Sequence, residues 1–137
     1  MRLSSYAPGA APDHPALAVL AAWCRGGPRP DDPAALVFAA RTGLAGSVWR
    51  PIPGADDYGP CSREGWPHTA AGVVLLAADA KIRLESGGKL TDRELAALAD
   101  WSGGNYVRRL VSLGSLARGV DGRIVDVRRV LERRGAL

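Results

Sequence analysis

Cysteine is scarce in this 137-residue chain, with Cys24 and Cys61 the only two. Two are too few for a disulfide framework. Neither they nor His14 and His68 form the short Cys-x-x-Cys type of pair on which a zinc site is built, so no metal is expected. Cys24 instead suits an apolar helix face as a small hydrophobe. Aromatic residues make up 6% of the sequence. Their scarcity in the basic part of the chain argues against stacking on single-stranded RNA. The longest apolar run, residues 70–78, falls far short of a bilayer span. The first nine residues lack the apolar core of a signal peptide. The expectation is a cytoplasmic protein with reduced thiols and no membrane partner.

Catalytic grammar is also thin. Gly43-Leu44-Ala45-Gly46 is too short for a phosphate loop and lacks its lysine. Asp56, Asp57, His68 and Ser62-Arg63-Glu64 have no partner at a spacing that pairs a nucleophile with a base. No catalytic residue, cofactor or small-molecule ligand is expected.

What the chain does have is a lopsided charge. The formal net charge is +4. Residues 1–80 hold six Lys/Arg against seven Asp/Glu, whereas residues 81–137 hold twelve against seven. The positive excess therefore lies entirely in the C-terminal part, where it can attract a phosphate backbone.

In the N-terminal half, residues 1–12 are rich in Pro, Ala and Gly and read as a loose arm. A helix is expected over 15–25, with Pro15 in the first position, Asp13 or His14 as cap, and Leu17, Leu20 and Cys24 inward. Gly26-Gly27-Pro28 ends it. A second helix is expected over 33–42, capped by Asp32 and stopped at Gly43, with Leu36, Val37 and Ala40 inward. Residues 44–68 carry no assignable element; their length and Trp49 and Trp66 suggest a loop packed onto something. A long helix should span 69–86, capped by Thr69. Val73, Leu76, Ala77, Ala80 and Leu84 share one face, and Val74, Leu75 and Ile82 widen it. That is more apolar surface than one exposed helix shows, and it calls for burial within the monomer, in a homodimer, or both.

The clearest pattern begins at Leu90. Thr91-Asp92-Arg93-Glu94 fits a capping box, and Leu90 with Leu95 can form the hydrophobic staple beside it. A helix over 92–99 follows, broken by Asp100-Trp101-Ser102-Gly103-Gly104. Ser102 can cap a second helix over 103–113. Val107, Leu110 and Leu113 or Val111 would face inward, with Asn105, Tyr106, Arg108, Arg109 and Ser112 outward. Two short helices joined by a tight turn form a helix-turn-helix unit, whose second helix meets base edges in a major groove. Asn105 suits adenine; Arg108 or Arg109 suits guanine or phosphate. Gly114 ends this helix. Asp121-Gly122 is a favoured two-residue hairpin turn, and the hairpin around it would set Arg118 and Arg123 toward a phosphate backbone. Asp126 can cap a closing helix over 127–134, with Val127, Val130 and Leu131 inward and Gly135 as the stop.

This order of helix, turn, helix, hairpin and helix resembles the winged helix-turn-helix of the excisionase and MerR-type superfamily. The carrying residues are the run from Leu90 to Ala99, Val107-Arg108-Arg109-Leu110, Gly114-Ser115-Leu116 and Gly122-Arg123-Ile124. The likeness covers residues 89–137. One departure is that Trp101 and the Gly103-Gly104 pair stand where the family's turn carries small polar residues, then Ser or Thr. Residues 1–88, with the helices expected above, read as the N-terminal helical scaffold and dimerisation region of a mainly α protein, and the resemblance implies a winged helix-turn-helix with a small β-hairpin over 89–137. It also implies a sequence-specific binder of double-stranded DNA, a small transcriptional regulator working as a homodimer. Its expected DNA-binding residues are Gly104, Asn105, Tyr106, Arg108, Arg109, Arg118 and Arg123. The competing expectation is a protein-interaction adaptor or inhibitor using a similar bundle without DNA, with the long apolar helix and the Trp-bearing loop as contact surface.

Overall fold

Helix α3 (Ala70–Glu85) is the axis around which three other helices gather, and its composition explains why. Its buried residues include Ala71, Val73, Val74, Leu75, Ala77, Ala78, Ala80 and Leu84, which is apolar on more than one side. A helix of that kind needs neighbours around most of its circumference. Helices α1 (Pro15–Cys24), α2 (Pro33–Gly43) and α4 (Asp92–Leu98) supply them. The apolar surplus of α3 is thus covered by this chain itself. The computed structural model describes residues 2–9, 13–44, 49–51, 58–60, 69–101 and 103–136.

The described residues are mainly helical. After α4 come α5 (Gly104–Ser112), a hairpin of β3 (Ala117–Arg118) and β4 (Ile124–Val125), and α6 (Val127–Arg133). One hydrophobic cluster runs from Leu3, Leu17 and Leu20 through Leu75 to Leu95, Ile124 and Leu131, so the elements on both sides of residue 88 share a core. Among the described residues no helix is long and apolar enough to cross a membrane.

Several helix ends follow their expected chemistry. The His14 imidazole accepts from the Ala16 amide at 3.1 Å, Asp32 accepts from Ala35 at 3.1 Å, and Thr69 accepts from Gly72 at 3.1 Å. Cys24 is buried on α1, and desolvation pushes its thiol up to about 12.

Other expectations need correction. The N-terminal segment is not a loose arm over 2–9. Leu3–Ser5 forms a 3-10 turn whose Leu3 is buried in the core, and the Ser4 amide donates to Asp100 at 2.8 Å. Asp13 draws the segment back by accepting from the Tyr6 hydroxyl and the Gly9 amide, at 2.7 and 2.6 Å. Within the unassigned stretch 44–68, β1 (Trp49–Pro51) pairs antiparallel with β2 (Tyr58–Pro60), Arg50 opposite Gly59. The suggested packing of Trp49 and Trp66 lies outside the described residues.

The chain's last turn is pinned by a buried cation. Lys81 of α3 lies 5.0 Å from the centroid of the Trp23 ring. Its ammonium donates to the backbone carbonyls of Trp23 and Ala136, which joins the end of α1 to the residues after α6. Burial holds that ammonium below the ordinary lysine range. Gly26, at φ +89°, sits where a Cβ would run into the Gly135 carbonyl, so the two helix ends meet through a residue without a side chain.

Candidate nucleic-acid interface

The local fold here is set by how α4 starts and stops. Thr91 caps α4: its hydroxyl accepts from the Glu94 amide at 3.3 Å and donates to the Glu94 carboxylate at 2.9 Å. The same carboxylate accepts twice from Nη1 of Arg83, at 2.7 and 2.9 Å, which fastens the first turn of α4 to α3. Leu90 and Leu95 are both fully buried beside the cap. At the other end Asp100 takes a left-handed conformation, φ 61°. The Trp101 amide then reaches Ala96 O at 2.8 Å and the Asp100 amide reaches Ala97 O at 3.3 Å. Those two bonds are the paired closure of a Schellman motif, with Asp in the place glycine normally takes. The break therefore falls at Asp100, ahead of the glycine pair.

The turn delivers the chain to α5, whose N-cap position is Gly103 without a side-chain cap bond; the expected cap, Ser102, lies outside the described residues. Gly104 follows, close enough that a Cβ there would sit 3.3 Å from Cβ of Asp92. Its bareness lets the start of α5 approach the first turn of α4. Val107 is 0% exposed and anchors α5 inward, with Leu110 and Val111 half-buried beside it. Leu113 is 69% exposed and does not belong to the inner face, since the helix has ended at Ser112.

The outward face of α5 carries Asn105, Tyr106, Arg108, Arg109 and Ser112, all exposed. Tyr106 leans edge-on against the half-buried Trp101, ring centroids 4.9 Å apart at 75°. Asn105 accepts through Oδ1 from Nη1 of Arg108 at 3.0 Å. Ser112 donates to the Arg108 carbonyl at 3.0 Å.

The hairpin lies against this pair of helices. Ala117 pairs with Val125 and Arg118 with Ile124. The expected two-residue turn at Asp121-Gly122 is in fact a three-residue loop. Gly119 N donates to Arg123 O at 2.8 Å and Gly122 N to Gly119 O at 3.1 Å. Of the loop residues only Gly122 has a positive φ, +78°. A two-residue type I′ turn needs positive φ at both central positions, which Asp121 does not supply. The Ile124 amide also donates to Leu90 O at 2.8 Å, so the residue before the α4 cap acts as a third, one-bridge strand of the hairpin. Asp126 does occupy the N-cap position of α6, but at φ 58° and without a side-chain cap bond.

Asp92 joins all three parts. Its two oxygens accept from Nη1 and Nη2 of Arg118, at 2.6 and 2.9 Å, and Nε of Arg108 lies 3.5 Å away. Arg118 Nη1 also donates to Gly122 O at 3.0 Å. The Arg118 guanidinium holds the Asp92 carboxyl below the ordinary aspartate range, with Arg108 adding to the effect. Arg118 is raised in turn by the same contact.

The structure thus brings Gly104, Asn105, Tyr106 and Arg108 together with Arg118, while Arg109 stands on the same α5 face and Arg123 is half-exposed at the base of the hairpin loop. Asp92 and the Leu90–Ile124 bridge are the parts that sequence reading did not supply. Among the described residues no group of three or more His, Cys, Asp and Glu could hold a metal ion. No protein-family model, curated protein or solved structure matches this chain.

Proposed function

We propose that residues 89–137 act as a winged helix-turn-helix that binds double-stranded DNA, and that the chain is a small transcriptional regulator. The observation that carries this reading is the one-sidedness of α5. Val107 seats it on the core, while Asn105, Arg108 and Arg109 point to solvent beside a hairpin that bears Arg118 and Arg123. A helix presented in that way fits a major groove, with donors that match purine edges and cations that match phosphates. The hairpin would follow the adjacent backbone. Regulation would come from occupancy of a site, with no chemistry of the protein's own.

Two copies on a palindromic site would set their α5 helices about 34–36 Å apart, one helical turn of DNA. The contact between such copies would come from a surface other than α3, which this chain covers itself.

The test is selection of bound duplexes from a random library, followed by titration of a selected site against salt. The reading predicts enriched sequences and a log–log salt slope of about −0.9 for each phosphate neutralised. Arg109→Ala should cost about 1–3 kcal/mol if the side chain reads a base, or flatten the slope by about 1 if it meets a phosphate. Failure to bind any duplex at low salt would overturn the proposal in favour of a protein-binding adaptor.

A further inference from the structure

We infer that Asp92 is a specificity-determining positioning residue of the proposed DNA interface, one that holds Arg108 and Arg118 away from indiscriminate phosphate contact. The inference rests on the DNA-binding reading above and concerns how that surface tells one duplex from another.

The geometry is a single carboxylate serving two guanidiniums from two other elements. Arg118 meets it fork to fork, at 2.6 and 2.9 Å, and adds a bond to Gly122 O at 3.0 Å. A guanidinium has five N–H donors, and this one commits three of them within the protein. A phosphate could take its paired edge only by displacing Asp92. Arg108 is held less tightly, by Nε at 3.5 Å from Asp92 and by Nη1 on Asn105 Oδ1 at 3.0 Å. Its side chain is still 61% exposed, so its remaining donors face solvent in a set direction.

Two consequences follow for a DNA surface. One of the two positive charges is cancelled where it would otherwise follow any phosphate. The Asn105 carbonyl is engaged by Arg108, so the pair presents chiefly N–H donors to a groove. Adjacent acceptors on one base edge are the major-groove signature of guanine, O6 and N7. The bound site is therefore expected to carry guanine opposite the first two turns of α5. Asp92 itself stands at the start of α4 with its side chain 17% exposed, and would act on DNA through the two arginines it holds.

The experiment compares Asp92→Asn with the wild-type chain on a selected duplex and on random duplex, each titrated against salt. Glu132→Gln, on the exposed face of α6, serves as a control of equal charge change. Freed from Asp92, the two guanidiniums should neutralise about one more phosphate. The random-duplex slope of Asp92→Asn should then be steeper by about 0.9, equivalent to about an eightfold gain at 0.1 M salt relative to 1 M. The selected site should gain less, so the ratio of selected to random affinity should fall. Glu132→Gln should leave slope and ratio near wild type. If Asp92→Asn does not fold, Arg118→Gln supplies the reciprocal readout. It leaves Asp92 wholly to Arg108, and random-duplex binding should weaken with a shallower slope. Wild-type binding combined with an Asp92→Asn slope and ratio equal to those of Glu132→Gln overturns the inference alone, as does an Arg118→Gln slope equal to wild type. A wild-type chain that binds no duplex overturns the DNA reading itself and takes the inference with it.

Discussion

The ion pair between Arg83 of α3 and Glu94 of α4 holds the proposed reading unit to the scaffold, and its two halves should not be equivalent. Both bonds are short, at 2.7 and 2.9 Å, and the Thr91 hydroxyl adds a third to the carboxylate at 2.9 Å. Solvation differs sharply: the Arg83 side chain is 38% exposed and that of Glu94 only 9%. Arg83→Met strands a carboxylate that water hardly reaches. Leaving a buried charge unpaired costs roughly 3–5 kcal/mol, and the remaining Thr91 bond argues for the low end, about 3 kcal/mol. Glu94→Ala strands a guanidinium that water can still solvate. Its cost is the lost charge-assisted bonding discounted for that exposure, about 1.5 kcal/mol. At roughly 3–4 °C per kcal/mol for a chain of this size, the melting temperature should fall by about 10 °C in the first variant and about 5 °C in the second. The double variant should cost less than the sum, with a coupling of about 1–2 kcal/mol. Calorimetry or urea denaturation of the four proteins provides the cycle. Equal costs for the two single variants, or strict additivity, would refute the unequal-solvation argument.

Three further outcomes are expected. Gly122→Ala should strain the hairpin, because φ is +78° while the space around it is open. The cost is about 1–2 kcal/mol, visible as faster hydrogen exchange at the Gly119 and Ile124 amides, and unchanged exchange would contradict it. In a Cys61→Ser background, Cys24 should react with iodoacetamide no faster than the protein unfolds, since it is buried and its thiol is pushed up to about 12. Rapid native-state labelling would refute that burial. Asp92 is depressed chiefly by Arg118, Asp13 by the Gly9 amide, and Glu85 by Arg29. Depressed carboxylates bind fewer protons folded than unfolded. Their stabilisation is complete above the ordinary carboxylate range and is lost as pH falls through and below the aspartate value of 3.8. Urea midpoints should drop over that window in the wild type and drop less in Asp92→Asn; a midpoint that rises on acidification would contradict the assignment.

What was legible in the sequence was local. Thr91 with Glu94, Asp32 with Pro33, Thr69, and the positive-φ glycines Gly114 and Gly135 each act within a turn or two of themselves, and composition exposes them. The inward set of α5 centred on Val107 was readable for the same reason, through helical spacing. What stayed hidden joins distant residues. The Arg118–Asp92 pair spans 26 positions and the Ser4–Asp100 bond 96. Nothing beside Leu90 signals that its carbonyl serves Ile124, because a one-residue bridge leaves no alternation to read. Leu3 is a single apolar residue in a Pro- and Gly-rich segment, and its burial depends on a site formed by the rest of the chain. Asp100 reads in the sequence only as the first of five residues, 100–104, that break α4; that its own left-handed backbone closes the helix leaves no signal, because glycine is the residue that usually takes that place.

The proposal that the outward face of α5 and its neighbouring hairpin lie on DNA is tested most directly by amide hydrogen exchange, with and without a selected duplex at saturation. Slowed exchange should be confined to residues 103–112 and 117–125. Protection centred on α1 and α2, or none on a duplex shown to be bound, would place the contact elsewhere and contradict the account.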